Sequence, residues 1–160
     1  GRYRKMLICD SSGFFSTEYR TMNYVASSPT ASGANGDLTP CEFWFIAVHD
    51  STNVTVTLKQ ASQAHAANTP FQLKMNKGDV YLIEGAAEYK NDLTGSLIES
   101  DQPIAVFSGH RRTTIPEGFR NLDGGPSRDH LVEELPPVSA WGDSALVVPF
   151  ATSMRPDGSI

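Results

Sequence analysis

Short apolar runs separated by polar turns dominate the chain, and most of them repeat with a period of two. Val54, Val56 and Leu58 alternate with Thr55 and Thr57, which sends the first three to a core and the threonines to water. Phe71, Leu73 and Met75 repeat the pattern. The turn Asn76-Lys77-Gly78-Asp79 follows, and Val80 to Glu84 returns. Cys41 to Val48 is the strongest strand of the first half, and the polar residues 49–53 predict a hairpin between it and 54–58. Weaker alternation predicts strands over 3–9 and 18–25, the second at an edge. Leu97 and Ile98 end another run, and Glu99 to Pro103 has turn chemistry. Ile104 to Phe107 is apolar at every position, as in a central strand covered on both faces, and Ser108-Gly109-His110 carries a histidine to its rim.

Between these runs lie two long aperiodic loops, 26–40 and 111–128, and a shorter one at 60–69. Residues 129–135 predict one short helix, with Asp129 as cap, Glu133 in its early turns and Pro136-Pro137 as its stop. Ala145 to Val148 is a last strand. Roughly eight or nine short strands at this spacing predict an all-β fold, an antiparallel β-sandwich of the jelly-roll or immunoglobulin-like two-sheet kind. Residues 1–150 form one domain, and 151–160 a tail or the start of a following repeat.

Composition narrows the function. Thirteen basic against eighteen acidic residues give a net charge of −5 over 160 residues, which argues against a nucleic-acid partner. No apolar run is long enough to span a bilayer as a helix, so no membrane insertion is expected. Cys9 and Cys41 either pair, in an exported protein, or stand as two buried thiols. Asn53-Val54-Thr55 is the one acceptor pattern for N-glycosylation. His110, His130 and Glu133 or Glu134 are a zinc-like set if residues 129–135 are helical, although the spacing matches no zinc motif; histidines tying a loop base to backbone are the commoner alternative. Asp92, Asp101, Asp123 and Asp129 are candidate calcium ligands, with solvated acidic turns as the alternative, so no cofactor is assigned beyond an open place for calcium. Ser108 and His110 lack a third partner and a nucleophile elbow, which argues against hydrolysis. Trp44 and Trp141 are read as core-filling and end-covering side chains. Arg111, Arg112, Arg120 and Arg128 make the 111–128 loop locally cationic, suited to carboxylates or sulfates on a partner.

Four stretches together resemble the IgGFc-binding protein N-terminal domain family: HDSTNVTVTL at 49–58, MNKGDVYLI at 75–83, TGSLIESDQPIAVFSGH at 94–110 and DHLVEELPPVSAWGDSALVVP at 129–149. The last two are specific in combination, and the resemblance covers about residues 41–149. It implies an extracellular β-rich module for binding and adhesion, without catalysis, at a cell surface or in mucus. Animal members of the family pin the loop after the Gly-His motif with a cysteine pair. Here Arg111, Arg112 and Asp129 occupy that neighbourhood, so His110, His130 and Trp141 are expected to clamp the loop instead. Members of the family usually continue into another strand-hairpin unit, and residues 155–160 resemble its entrance.

The resulting expectation is a non-enzymatic extracellular module that recognises a protein or glycan through rim loops 26–40 and 111–128. The alternative is a structural subunit of a surface filament or tubule, built by strand addition to neighbouring domains or to copies of itself.

Overall fold

The computed structural model describes residues 15–26, 39–86, 88–115, 128–142 and 144. The predicted strands 3–9 and 145–148, and residues 27–38 and 116–127 of the two long loops, lie outside the described residues. The described residues form seven strands and one short 3-10 turn: β1 Ser16–Arg20, β2 Cys41–Ala47, β3 Thr52–Thr57, β4 Phe71–Met75, β5 Val80–Glu84, β6 Leu97–Thr113, β7 Asp129–Glu134, and the turn at Val138–Ala140. The all-β prediction holds. The described strands make one continuous antiparallel sheet where two were expected, in the order β4-β3-β6-β2-β5, with β1 and β7 also pairing β6.

β6 is the axis of the sheet, and it corrects the predicted turn at 99–103. It runs unbroken through Pro103 for 17 residues. Proline lacks the N–H that a ladder needs, so it survives in a strand only where no partner asks for that donor. Pro103 sits at such a place. Pairing with β3 ends at Val54↔Ser100, and pairing with β2 begins at Ala47↔Ile104. On the other edge β1 slips register between Ile104 and Glu99.

The predicted hairpin of 41–48 with 54–58 is likewise corrected. β2 and β3 do not pair with each other. They run in the same direction along one edge of β6, interrupted by the residues at 48–51. β4 and β5 flank them in the same way, interrupted at 76–79. The two interruptions are bonded together: the Gly78 N–H donates to the Ala47 carbonyl at 2.8 Å, and the Lys77 N–H to Asp50 Oδ1 at 3.0 Å. Asn53 donates from its backbone and its side chain to the Asp101 carboxylate, at 2.8 and 2.6 Å, joining β3 to the point where β6 changes partners.

Residues 129–135 are not a helix, which is the third correction. β7 is a strand laid antiparallel along β6, with Phe107↔Glu134 and His110↔Leu131 in register. Ladder bonds to a strand distant in sequence outweigh the local helix signals of Asp129 and Glu133, which carry about 1 kcal/mol or less each. Leu135 continues the pairing, its N–H donating to the Val106 carbonyl at 2.8 Å.

One core results. Cys41, Phe43, Phe45 and Ala47 of β2 meet Val54 and Val56 of β3, Leu58 just after it, Ile98, Ile104 and Val106 of β6, Tyr19 of β1 and Leu135. Their period-two spacing is the one read from the sequence, and each fully buried large side chain contributes about 1.5–3 kcal/mol. Trp44 lies on the opposite face of β2 from this core, half-buried and stacked on Phe107 at 5.7 Å between ring centroids, so it does not fill the core as expected.

Candidate functional site

Beyond Val106, β6 carries polar side chains on its core face: Ser108 and His110, both buried. A strap of chain, residues 21–26, satisfies them. Thr21 opens the strap by exchanging backbone bonds with Gly95 and Ser96, and Ala26 closes it on Asn91, its N–H donating to the Asn91 carbonyl at 2.8 Å. The Ser108 hydroxyl donates to the Met22 carbonyl. His110 Nε2 lies 3.1 Å from the Val25 carbonyl, and its Nδ1 accepts the Arg112 backbone N–H at 3.1 Å. A nitrogen that accepts an N–H carries no proton, so the ring proton sits on Nε2 and is donated to Val25. Burial pushes the His110 pKa down to about 4; the Val25 bond opposes this, and the positive charge of Arg128 and His130 adds to it. The imidazole is therefore a neutral tie between β6 and the strap.

Thr39 forms a second tie. Its hydroxyl donates to the Arg112 carbonyl at 2.7 Å and accepts from the Arg128 guanidinium at 3.2 Å. On the outer face of the sheet, Glu42 stands 3.9 Å from His130 Nε2. Burial and the neighbouring Glu84 raise the Glu42 pKa, against the pull of His130 and Arg111. Gly109 is needed between these layers. A Cβ there would stand 2.6 Å from the Leu131 carbonyl and 3.0 Å from the Trp44 ring.

Between strap and β7 lies a mostly apolar groove of about 330 Å³, lined by Met22, Asn23, Tyr24, Ile115, Leu131 and Val132 over a floor of Ser108 and Gly109, with Glu133 as its one charged side chain. Met22, Ile115 and Val132 are 56%, 60% and 45% exposed. Exposed apolar side chains gathered around one groove are uncommon on a surface that binds nothing.

The sequence-derived residues fall as follows. His110, His130 and Trp141 each find a separate partner: Val25 and Arg112 for the first, Glu42 for the second, and the Pro136 carbonyl, at 3.4 Å from the indole N–H, for the third. Because β7 is a strand, His130 and Glu133 point to opposite faces and Glu134 lies about 13 Å along the strand from His130, which removes the helix-based geometry of the zinc-like set. Among the described residues, no group of three histidine, cysteine or acidic side chains is arranged to hold a metal ion. Asp92 accepts from its own turn, Asp101 from Asn53 and Asp129 from the His130 N–H, and Asp123 lies outside the described residues. Arg111 and Arg112 are exposed, Arg128 is half-buried against Thr39, and Arg120 lies outside the described residues. Cys41 is a free thiol whose pKa burial pushes up to about 11, and Cys9 lies outside the described residues. Asn53 is exposed, its amide held by Asp101. The strap and groove were not read from the sequence. Their signal was slight: Met22 and Val132 are single apolar residues within polar runs.

The family model described as IgGFc binding protein matches residues 6–159. The chain belongs to this family. A relative from Homo sapiens, the IgGFc-binding protein, is 28% identical over 149 residues, covering 88% of this chain. The chain spans 2% of the length of that relative. Among solved structures, the crystal structure of Thermotoga maritima 1070 aligns with 75% of this chain and 92% of its own, at 7% identity and a TM-score of 0.45. Family membership accords with the resemblance carried by residues 94–110 and 129–149.

Proposed function

We propose that this chain is a non-enzymatic extracellular module that binds a protein partner in the groove between residues 22–24 and β7. The observation that carries the reading is the gathering of exposed Met22, Ile115 and Val132 around one apolar groove, in a member of a family named for binding. Flexible methionine and branched aliphatic side chains on a rigid floor suit a protein surface better than a polar small molecule. Two of the polar side chains beneath the groove are already occupied. Ser108 and His110 are both bonded to backbone and not to each other, which leaves no activated nucleophile.

The human relative is named for the IgG Fc, and Fc is the partner to test first. Arg111, exposed near the end of β6, is a candidate cationic contact for a partner. Titration of immobilised Fc with the purified chain should give saturable binding. Val132→Asp and Ile115→Asp should each weaken it at least about tenfold, the cost of a charge in an apolar contact. Because both side chains are exposed, thermal unfolding should be unchanged. Saturable binding that ignores both substitutions would remove the groove from the reading, and no binding at all would remove Fc.

A further inference from the structure

Among the described residues, the outer edge of β5 is an open ladder up to Leu82. Phe43↔Ile83 and Phe45↔Tyr81 face each other in register, and the bonds Gly85 N–H to Cys41 carbonyl and Ala47 N–H to Asp79 carbonyl fix which residues turn toward β2. The odd positions 79 to 85 therefore bond to β2, and the even positions turn their backbone groups away from it. At Glu84 the outward carbonyl is taken by the Gln63 N–H at 3.2 Å, and the Ala86 N–H reaches the Ala61 carbonyl. Among the described residues, the N–H and C=O of Val80 and of Leu82 have no backbone partner.

The side chains there are unprotected too, Val80 being 57% and Leu82 52% exposed. Proteins usually blunt such edges with charge or proline. The other edge strands do so: β1 carries Glu18 and Arg20, β4 carries Lys74, and β7 carries Asp129, Glu133 and Glu134. β5 reads Val-Tyr-Leu-Ile before its terminal Glu84. The open stretch is bracketed by Asp79 and Glu84, and Lys77 lies beyond it in the turn. Where the edge meets the loop at 62–65 there is a cavity of about 170 Å³, lined by Ser62, His65, Tyr81, Leu82 and Glu84. His65 is fixed there, stacked on Phe71 at 3.6 Å and within 3.1 Å of the Tyr81 hydroxyl.

We infer that the β5 edge accepts an extended strand from a partner protein, one that places apolar residues beside Val80 and Leu82 and basic residues beside Asp79 and Glu84. The backbone groups of Val80 and Leu82 supply the ladder, and alternate side chains supply selectivity. The terminal side chain of the guest strand enters the cavity against Ser62 and His65. This site is separate from the groove at β7 and does not depend on what that groove binds.

The probe is the peptide acetyl-Lys-Thr-Val-Thr-Val-Thr-Lys-amide, titrated into the ¹⁵N-labelled chain with amide hydrogen exchange as the readout. The Val80 and Leu82 amides should slow on the order of tenfold at saturation. The same peptide N-methylated at both valines should give no protection, because it keeps the side chains and loses the ladder. Leu82→Lys should abolish protection, with Val80→Lys as the second variant should the first lower the melting temperature. Unchanged exchange at both amides, or equal protection by the methylated peptide, overturns the proposal. So does equal protection by a peptide with glutamate in place of lysine, which removes the charge argument. Protection that grows with protein concentration in the absence of peptide overturns it in favour of a second copy of this chain.

Discussion

His110 shows how much chemistry one side chain settles. Its folded pKa, about 4, lies below the ordinary histidine value of 6.5, so between these values the unfolded chain binds the proton and the folded chain does not. Stability from this group is fully present above pH 6.5 and is lost as pH falls from 6.5 toward 4. The upper bound is about 3 kcal/mol. Glu42 and Glu134 carry raised pKa values and act in the opposite sense, favouring the fold as they take up protons. The His110 contribution is therefore read as a difference: urea denaturation of the wild type and of His110→Asn should show a stability gap at pH 7 that narrows by pH 4.5. A gap that stays constant with pH would mean that the imidazole is not held neutral. Gly109 makes a steric counterpart. Gly109→Ala should cost about 1–3 kcal/mol in the same assay, since the Leu131 carbonyl cannot yield without opening β7 from β6. The sequence singled out His110 as a structural tie but not its partner. Val25 stands 85 residues away at the end of a weakly alternating run, and no local rule brings the two together.

At the scale of the strands, the sequence was legible wherever one face meets the core. Val54, Val56 and Leu58 alternate inward as read, because alternation across a half-buried sheet is a local property. It failed where the decision is made by a distant partner. Pro103 resembles a turn to any local rule, and only the exchange of β3 for β2 along β6 explains its place in a strand. Residues 129–135 resemble a helix for the same reason, since the strand that recruits them lies some twenty residues earlier. A mechanical consequence follows from β6 running the length of the sheet. Ile98 packs with the β3 end and Val106 with the β2 end, yet both belong to one core. Ile98→Ala should destabilise by about 2–4 kcal/mol and Val106→Ala by somewhat less. In a Trp141→Phe background, Trp44 fluorescence reports the β2 end alone, and Ile98→Ala should shift its unfolding midpoint as far as it shifts the circular dichroism transition. Separate transitions would show that β6 does not couple the two ends.

Across the whole molecule, the two proposed surfaces sit on different edges of the sheet. The groove is formed where β7 and residues 22–24 meet β6, and the open edge of β5 lies two strands away across β2. The strands between them are tied on both sides by regular ladders, with Trp44 packed on Phe107 above and Phe43 and Phe45 buried below. Coupling between sites requires an element with two arrangements that each ligand favours differently, and a closely packed sheet of this kind offers none. The surfaces should therefore act independently. The dissociation constant for an Fc partner, measured by titration calorimetry, should stay within about twofold when the lysine-flanked peptide saturates β5. Val132→Asp should leave peptide protection intact, and Leu82→Lys should leave Fc binding intact. Charge supplies a further separation. The chain carries a net charge of −5, so a basic guest strand at Asp79 and Glu84 should weaken as salt rises past physiological strength, whereas contact with Met22, Ile115 and Val132 should not. Loss of both interactions together with salt would mean that one electrostatic surface serves both, and the division into two sites would fall.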